Sequence, residues 1–229
     1  MQMPYHPAVL EASWQETALL QGLRLRVAPE VAASYRRAGQ FLQVRRPVER
    51  EGAFFAIASG PEGETLELLV KRGEGLPDEL AALPAGAALE TTAAMGSGFP
   101  LAESSGRDLL LFATGSGIAP IRAALHEILA DRDRWGTVEL FFGVRNPDDF
   151  PYAGELAEME RRGLRVHRVM SCMPPRTGHA RYVQERFRAA LPRVENAAAF
   201  LCGLQGMIEG VSEALLEAGM PPDRIHLNV

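Results

Sequence analysis

The residues best placed to do chemistry are Thr114-Gly115-Ser116-Gly117. They follow an apolar run of strand length, Leu109 to Ala113, and precede a segment in which Ile118, Ile121, Leu125, Ile128 and Leu129 recur at helical spacing. Pro120 sits in the first helical turn, where a missing N–H removes nothing. A buried strand that turns through glycines into a helix N-terminus presents free backbone N–H groups and a positive dipole end. The ligand that chemistry suits is an anion such as a nucleotide phosphate, and glycine lets it approach the backbone. The same turn also occurs in α/β proteins without a ligand. GSGIAP is neither GxGxxG nor a P-loop, since it has no third Gly and no Gly-Lys-Ser/Thr.

The elements around this turn form two kinds of pattern. Before Pro100, short strands with Gly/Pro punctuation recur about every ten residues: Gly22–Val27, Gly39–Val44, Ala53–Ala58, Thr65–Val70 and Ala88–Thr92, with one short helix over Asp78–Leu83. That spacing predicts an antiparallel β-barrel or sandwich. Residues 1–20 read as a lead-in, with Trp14 packed. After the polar stretch Glu103 to Asp108, strands alternate with helices. The strands are 109–113, 138–142, 164–169, 198–202 and 225–227; the helices are 118–130, about 153–162, about 181–190 and about 205–218. Alternation of that kind means βαβ units and a parallel sheet. The expected division is therefore 1–103, a β-barrel, and 104–229, a parallel-sheet α/β domain.

Ligands bind at the carboxyl ends of parallel strands. Four such ends carry small or polar clusters here: Thr114–Gly117, Gly143-Val144-Arg145-Asn146, Met170-Ser171-Cys172 and Cys202-Gly203-Leu204-Gln205. Four in succession point to a nucleotide site.

Composition excludes several other classes. The chain has 229 residues and a formal charge of −5, which argues against nucleic acid or an anionic membrane as the main partner. No apolar run reaches bilayer length, and the N-terminus shows no secretory pattern. Two cysteines, Cys172 and Cys202, cannot make a disulfide framework, so a reduced, cytoplasmic compartment is expected. The five histidines show no metal-binding spacing, and no metal site is expected.

ATGSGIAPI (113–121), FFGVRNPDD (141–149) and the C-terminal CGLQGMIEGVSEALLEAGMPPDRIHLN (202–228) resemble the ferredoxin–NADP reductase superfamily. The resemblance covers roughly residues 20–229 and implies a flavin-binding β-barrel followed by an NAD(P)-binding Rossmann-like domain. It implies a flavin-dependent NAD(P)H oxidoreductase, with FAD and NADH or NADPH as cofactors and a redox protein or small molecule as electron acceptor. In the nucleotide half it assigns Thr114, Gly115, Ser116, Gly117, Ile118, Ala119 and Pro120 to the pyrophosphate. Gly143, Arg145, Ser171, Cys172, Arg181, Gly203, Leu204 and Met207 also fall to the cofactor site, with Ser171 in the segment near the adenosine ribose. Cys202 stands beside the nicotinamide ring as the catalytic residue; buried Cys is otherwise a small hydrophobe. Arg176 and Arg181 could serve a 2′-phosphate, Cys172 stands where a phosphate-gripping Arg is expected, and no Asp or Glu is there for a ribose. The nicotinamide choice stays open.

In the barrel half the resemblance assigns Phe55, Ala56, Ile57 and Ala58, then Val70, Lys71 and Arg72, then Gly75, Leu76 and Gly96, to the flavin. Phe54 and Phe55 are adjacent on a strand and face opposite ways; Phe55 takes the stacking position and Phe54 the core. Three positions depart from the family's pattern. Ala53 replaces the Arg that pairs with the pyrophosphate, Ala56 replaces the Ser at flavin N5, and Leu76 stands where Ser or Thr is usual. Lys71, Arg72, Arg45 or Arg46 could substitute as point charges. Val229 cannot shield a flavin as a terminal aromatic would. A second reading follows from these departures: a flavin-poor or flavin-free nucleotide-binding subunit. A third is an electron-transfer subunit feeding a partner, with no cysteine set for an internal iron–sulfur cluster.

Overall fold

The computed structural model describes residues 3–172 and 180–228. Arg176 and Val229 lie outside the described residues. The first half holds six strands: β1 (His6–Gln15), β2 (Leu20–Val27), β3 (Phe41–Arg45), β4 (Ala53–Ala56), β5 (Thr65–Lys71) and β6 (Ala88–Thr91). Two short helices join them, α1 (Pro29–Ser34) and α2 (Leu76–Ala81). The antiparallel sheet runs β4-β3-β6-β1-β2-β5. Its two edges meet where Ile57 bridges Leu68 and the Ala58 N–H donates to the Glu67 carbonyl at 2.7 Å. The apolar face that alternation predicts, with Leu23, Leu25, Leu42, Val44, Leu66 and Leu68, is turned inward around one core.

The segment expected as a lead-in is instead β1, which lies between β6 and β2. Its signal is weak for physical reasons. Only Ala8 and Leu10 are buried along it, and its register shifts between Leu10 and Ala12. Trp14 packs as expected, across the strand pair on Gly22, where a Cβ would come within 2.2 Å of the indole.

The second half alternates β7 (Asp108–Thr114), α3 (Ile118–Ala130), β8 (Val138–Val144), α4 (Ala153–Arg161), β9 (Leu164–Met170), α5 (Val183–Ala190), β10 (Ala197–Cys202), α6 (Gln205–Glu217) and β11 (Ile225–Leu227). The parallel sheet has the order β11-β10-β7-β8-β9. β7 reads as a continuous apolar run over Leu109–Ala113, and β8 over Leu140–Val144, because both faces are covered. One apolar cluster holds α3, β7 and β8 and continues into barrel residues Leu20, Ala58, Leu69 and Phe99, so the two halves share a core.

Candidate functional site

The turn after β7 is a single 3-10 turn, Gly115–Gly117, and it feeds directly into α3. Gly115 has φ +54°, a conformation glycine adopts without a Cβ penalty. No side chain caps the N-terminus of α3; the Ile118 N–H donates back to the Gly115 and Ser116 carbonyls, so the N–H groups left for an anion are those of the turn itself. Ile118, Ala119 and Pro120 are buried, so they offer a ligand backbone only.

β10 neighbours β7, and its end loop is built against the glycine turn. A Cβ on Gly117 would sit 2.4 Å from the Cys202 carbonyl oxygen, and one on Gly203 would sit 2.1 Å from Thr114 Oγ1. Thr114 Oγ1 instead accepts the Leu204 N–H at 2.8 Å. Glycine at both positions lets two backbones touch, which places a second uncapped helix N-terminus, that of α6, beside the first. Leu204 is exposed and Met207 is buried beneath the loop.

Cys202 ends β10 half-buried, and its Sγ accepts from Asn228 Nδ2 at 3.6 Å. Burial pushes the thiol up from its ordinary value, while the Asn228 contact works the other way. The direction of that shift favours the protonated thiol, which offers shape and dipole.

The residues at the ends of β8 and β9 and before α5 also come together. The Cys172 N–H donates to the Arg145 carbonyl at 2.9 Å, and the Arg181 guanidinium donates to the Ser171 carbonyl at 3.4 Å. Glu185 accepts the Arg181 N–H at 2.8 Å and fixes the start of α5. Gly143 has no Cβ because Val183 of α5 packs there, 2.7 Å from where one would stand.

In the barrel, Ile57, Ala58 and Val70 are fully buried, so their side chains face the cores and leave only backbone for a ligand. Ala56 is half-buried and packs against the shared core, as does Cys202. The Phe54/Phe55 assignment is corrected. Phe55 is 8% exposed inside the barrel, whereas Phe54 is 62% exposed and meets Phe41 edge-on at 5.9 Å. The reason is register: Phe55 pairs with inward-facing Leu42, and Phe54 with outward-facing Gln43.

Among the basic residues that could replace the missing Arg, Arg45 is committed elsewhere, to Glu90 at 2.7 Å and over the Tyr5 ring at 3.7 Å. Arg72 pairs with Asp78 and Arg46 with Glu79, at 3.3 and 2.7 Å, which holds both guanidiniums beside α2. Lys71 is exposed. Gly73 and Gly75 have open space where a Cβ would stand, and Gly75 has φ +69°. Gly96, at φ +81°, gives its carbonyl to Gln40 Nε2. Ala53 and Leu76 pack against the barrel core. This end of the barrel therefore has open space at Gly73 and Gly75 with Arg72 and Arg46 beside α2, and lacks polar side chains at 53 and 76.

The sequence reading missed Arg122 of α3. Its guanidinium reaches the Ala58 carbonyl at 2.9 Å, Glu67 at 2.8 Å and Glu155 at 2.7 Å, and lies over the Tyr152 ring at 4.5 Å. The available signal was a cation beside the apolar stripe of α3, four residues before His126. Among the described residues no group of three or more His, Cys, Asp or Glu could hold a metal, and no helix is long and apolar enough to cross a membrane.

Residues 111–213 match the oxidoreductase NAD-binding domain. The sulfhydrogenase 2 subunit gamma of Pyrococcus furiosus is 25% identical over 206 residues, covering 83% of this chain and 70% of that one. The ferredoxin reductase component of a 3-ketosteroid-9-alpha-monooxygenase from Rhodococcus rhodochrous is 30% identical, over 94% of this chain and 62% of the relative. Among solved structures, the Amycolatopsis cytochrome P450 reductase GcoB superposes with a TM-score of 0.83 at 25% identity, over 99% of this chain and 70% of the other. A Neisseria gonorrhoeae ferredoxin NADP+ reductase with bound FAD and NADP superposes with a TM-score of 0.80 at 24% identity, over 99% and 98% of the two chains. Residues 111–213 thus carry an oxidoreductase NAD-binding domain, and the two-part fold is similar to that of ferredoxin–NADP reductase-like structures.

Proposed function

We infer that the chain is a flavin-dependent NAD(P)H oxidoreductase that passes electrons to a redox protein or a small-molecule acceptor. The observation that carries this reading is the placement of Ala56 and Cys202. Each is half-buried, one ends a barrel strand and the other a parallel strand, and both pack on the same apolar cluster. In this reading the flavin lies on the Ala56 side of that cluster and the nicotinamide on the Cys202 side. FAD, when bound, supplies the hydride acceptor and the electron store.

The protein's own part is to bind, orient and exclude water. The turn 115–117 and the N-termini of α3 and α6 hold the nicotinamide dinucleotide's pyrophosphate. Ser171, Arg181 and Arg145 border its adenosine end. The neutral Cys202 thiol fills space against the nicotinamide and neither attacks nor deprotonates it. The backbone of Ala56–Ala58 borders the flavin ring. Arg72, Lys71 and Arg46 are the cations that would meet its phosphates. Holding both reactants at contact distance supplies most of the rate in such a transfer.

The names of similar proteins, reductase components of oxygenases and a sulfhydrogenase subunit, favour a protein acceptor. An iron–sulfur centre needing four cysteines would come from elsewhere than these two. The flavin-free reading draws on one observation: Ala53 and Leu76 sit in the barrel's apolar packing. Reconstitution with FAD, gel filtration, and NADH or NADPH oxidation with ferricyanide as acceptor separates the two. Retained FAD with turnover is expected. A protein that binds a nicotinamide nucleotide but retains no flavin establishes the alternative.

A further inference from the structure

The contacts of Arg122 cross the boundary between the two halves. Arg122 lies one turn past Ile118, on the helix whose N-terminus borders the glycine turn. Its guanidinium bonds the Ala58 carbonyl, within the strand end assigned to the flavin. The same group pairs with Glu67 of β5 and Glu155 of α4, and rests on Tyr152. The side chains of Arg122 and Glu67 are only 11% and 14% exposed, so water screens the pair little. Further side-chain partners extend the contact on both sides. Arg24 of β2 holds Glu67 at 2.8 Å, and His126 holds Glu155. A second tie runs the other way, from the Tyr152 N–H to Glu16 beyond β1 at 2.9 Å.

We propose that Arg122 is a positioning residue that sets the relation between the flavin strand and the nucleotide helix, and so the approach of nicotinamide to flavin. Its planar fork reaches a carbonyl and two carboxylates at once, which a Lys point charge does not reproduce. Its removal leaves Glu67 and Glu155 facing each other across the boundary without their shared cation. Arg122 reaches the strand assigned to the flavin only through the Ala58 carbonyl and contacts no side chain assigned to either cofactor, so affinity and transfer rate are expected to separate. A displacement of about 1 Å in the reacting pair is enough to lower a transfer rate by up to about 100-fold.

The kinetic half of this inference rests on the oxidoreductase reading; the exchange half does not. Arg122→Met is compared with the parent by amide hydrogen exchange and, with FAD bound, by single-turnover flavin reduction. Exchange is expected to quicken in residues 54–60, 118–126 and 150–157, and to stay unchanged in 205–217. Reduction is expected to slow by about tenfold or more, with both cofactor dissociation constants within about threefold of the parent. Arg122→Lys should recover part of the rate. Parent-like exchange in those segments, or parent-like reduction in the Met variant, overturns the proposal. If neither protein holds flavin, the oxidoreductase reading falls and the exchange result alone decides the role of Arg122. If Arg122→Met does not fold, the triple variant with Glu67→Gln and Glu155→Gln removes the stranded charges and is read in the same way.

Discussion

The two halves of this protein equip their ligand sites in opposite ways. At the ends of β7 and β10 the machinery is backbone: Gly115, Gly117 and Gly203, two uncapped helix N-termini, and Thr114 bonding the Leu204 N–H. In the barrel, three side-chain positions of the family's flavin motif are Ala53, Ala56 and Leu76. A backbone site depends on the absence of side chains and on close approach, which any compatible fold of the loop preserves. A side-chain site is lost residue by residue. The barrel half has fewer polar side chains left to lose, so single side-chain substitutions there should cost little, whereas a Cβ that fills the close approach at Gly117 should cost the nucleotide half more.

The largest effect expected concerns the barrel as scaffold. Phe55→Ala should destabilise the fold by about 3–5 kcal/mol, since it empties a core site. Phe54→Ala, on the outer face, should stay within about 0.5 kcal/mol. Chemical denaturation reads both, and equal effects would break the corrected assignment. Next comes Gly117→Val. Its Cβ would fall against the Cys202 backbone, so nucleotide affinity should drop about 100-fold, or about 2.7 kcal/mol. Flavin retention should change little. Calorimetry showing unchanged nucleotide affinity would remove the backbone site from the account.

A smaller effect is expected at Cys202. Cys202→Ser and Cys202→Ala should each slow flavin reduction by about tenfold, or about 1.4 kcal/mol, with both cofactor affinities kept. Rapid-mixing absorbance with NADH and with NADPH would measure this; an unchanged rate would leave the thiol as packing. The smallest effect separates the halves most finely. Arg72→Gln should weaken FAD by only about 0.2–1 kcal/mol, because its ion pair is exposed. A loss of several kcal/mol would show that one side chain carries the flavin site after all.

The boundary between the halves adds a pH dependence. Burial acts to raise the Glu155 pKa, but the His126 and Arg122 hydrogen bonds outweigh it and the net shift is downward. A carboxylate lowered in the folded state stabilises above its unfolded pKa. That stabilisation is lost as pH falls through the folded value. Denaturation midpoints should thus decline on acidification below the ordinary carboxylate range, and Glu155→Gln should flatten that part of the profile.

Much of this architecture was legible in the chain. Strand–helix alternation after Pro100 and the glycine turn at 115–117 are local patterns, and the structure places β7, the turn and α3 there. What was not legible depends on pairing. The faces of Phe54 and Phe55 follow from β4's register against Leu42 and Gln43, which no motif states. β1 hides behind Pro4 and Pro7, with only Ala8 and Leu10 to mark its buried face. Arg122 takes its meaning from Ala58 and Glu67, more than fifty residues away in sequence. Local patterns report elements; the meeting of two domains is written in contacts that only the fold brings together.

The most direct test of the central claim is an anaerobic absorbance titration of the FAD-reconstituted protein with NADH and, separately, with NADPH. The account predicts a retained flavin band that bleaches stoichiometrically with at least one of the two nucleotides. A protein that holds no flavin, or holds it and is reduced by neither nucleotide, would contradict it.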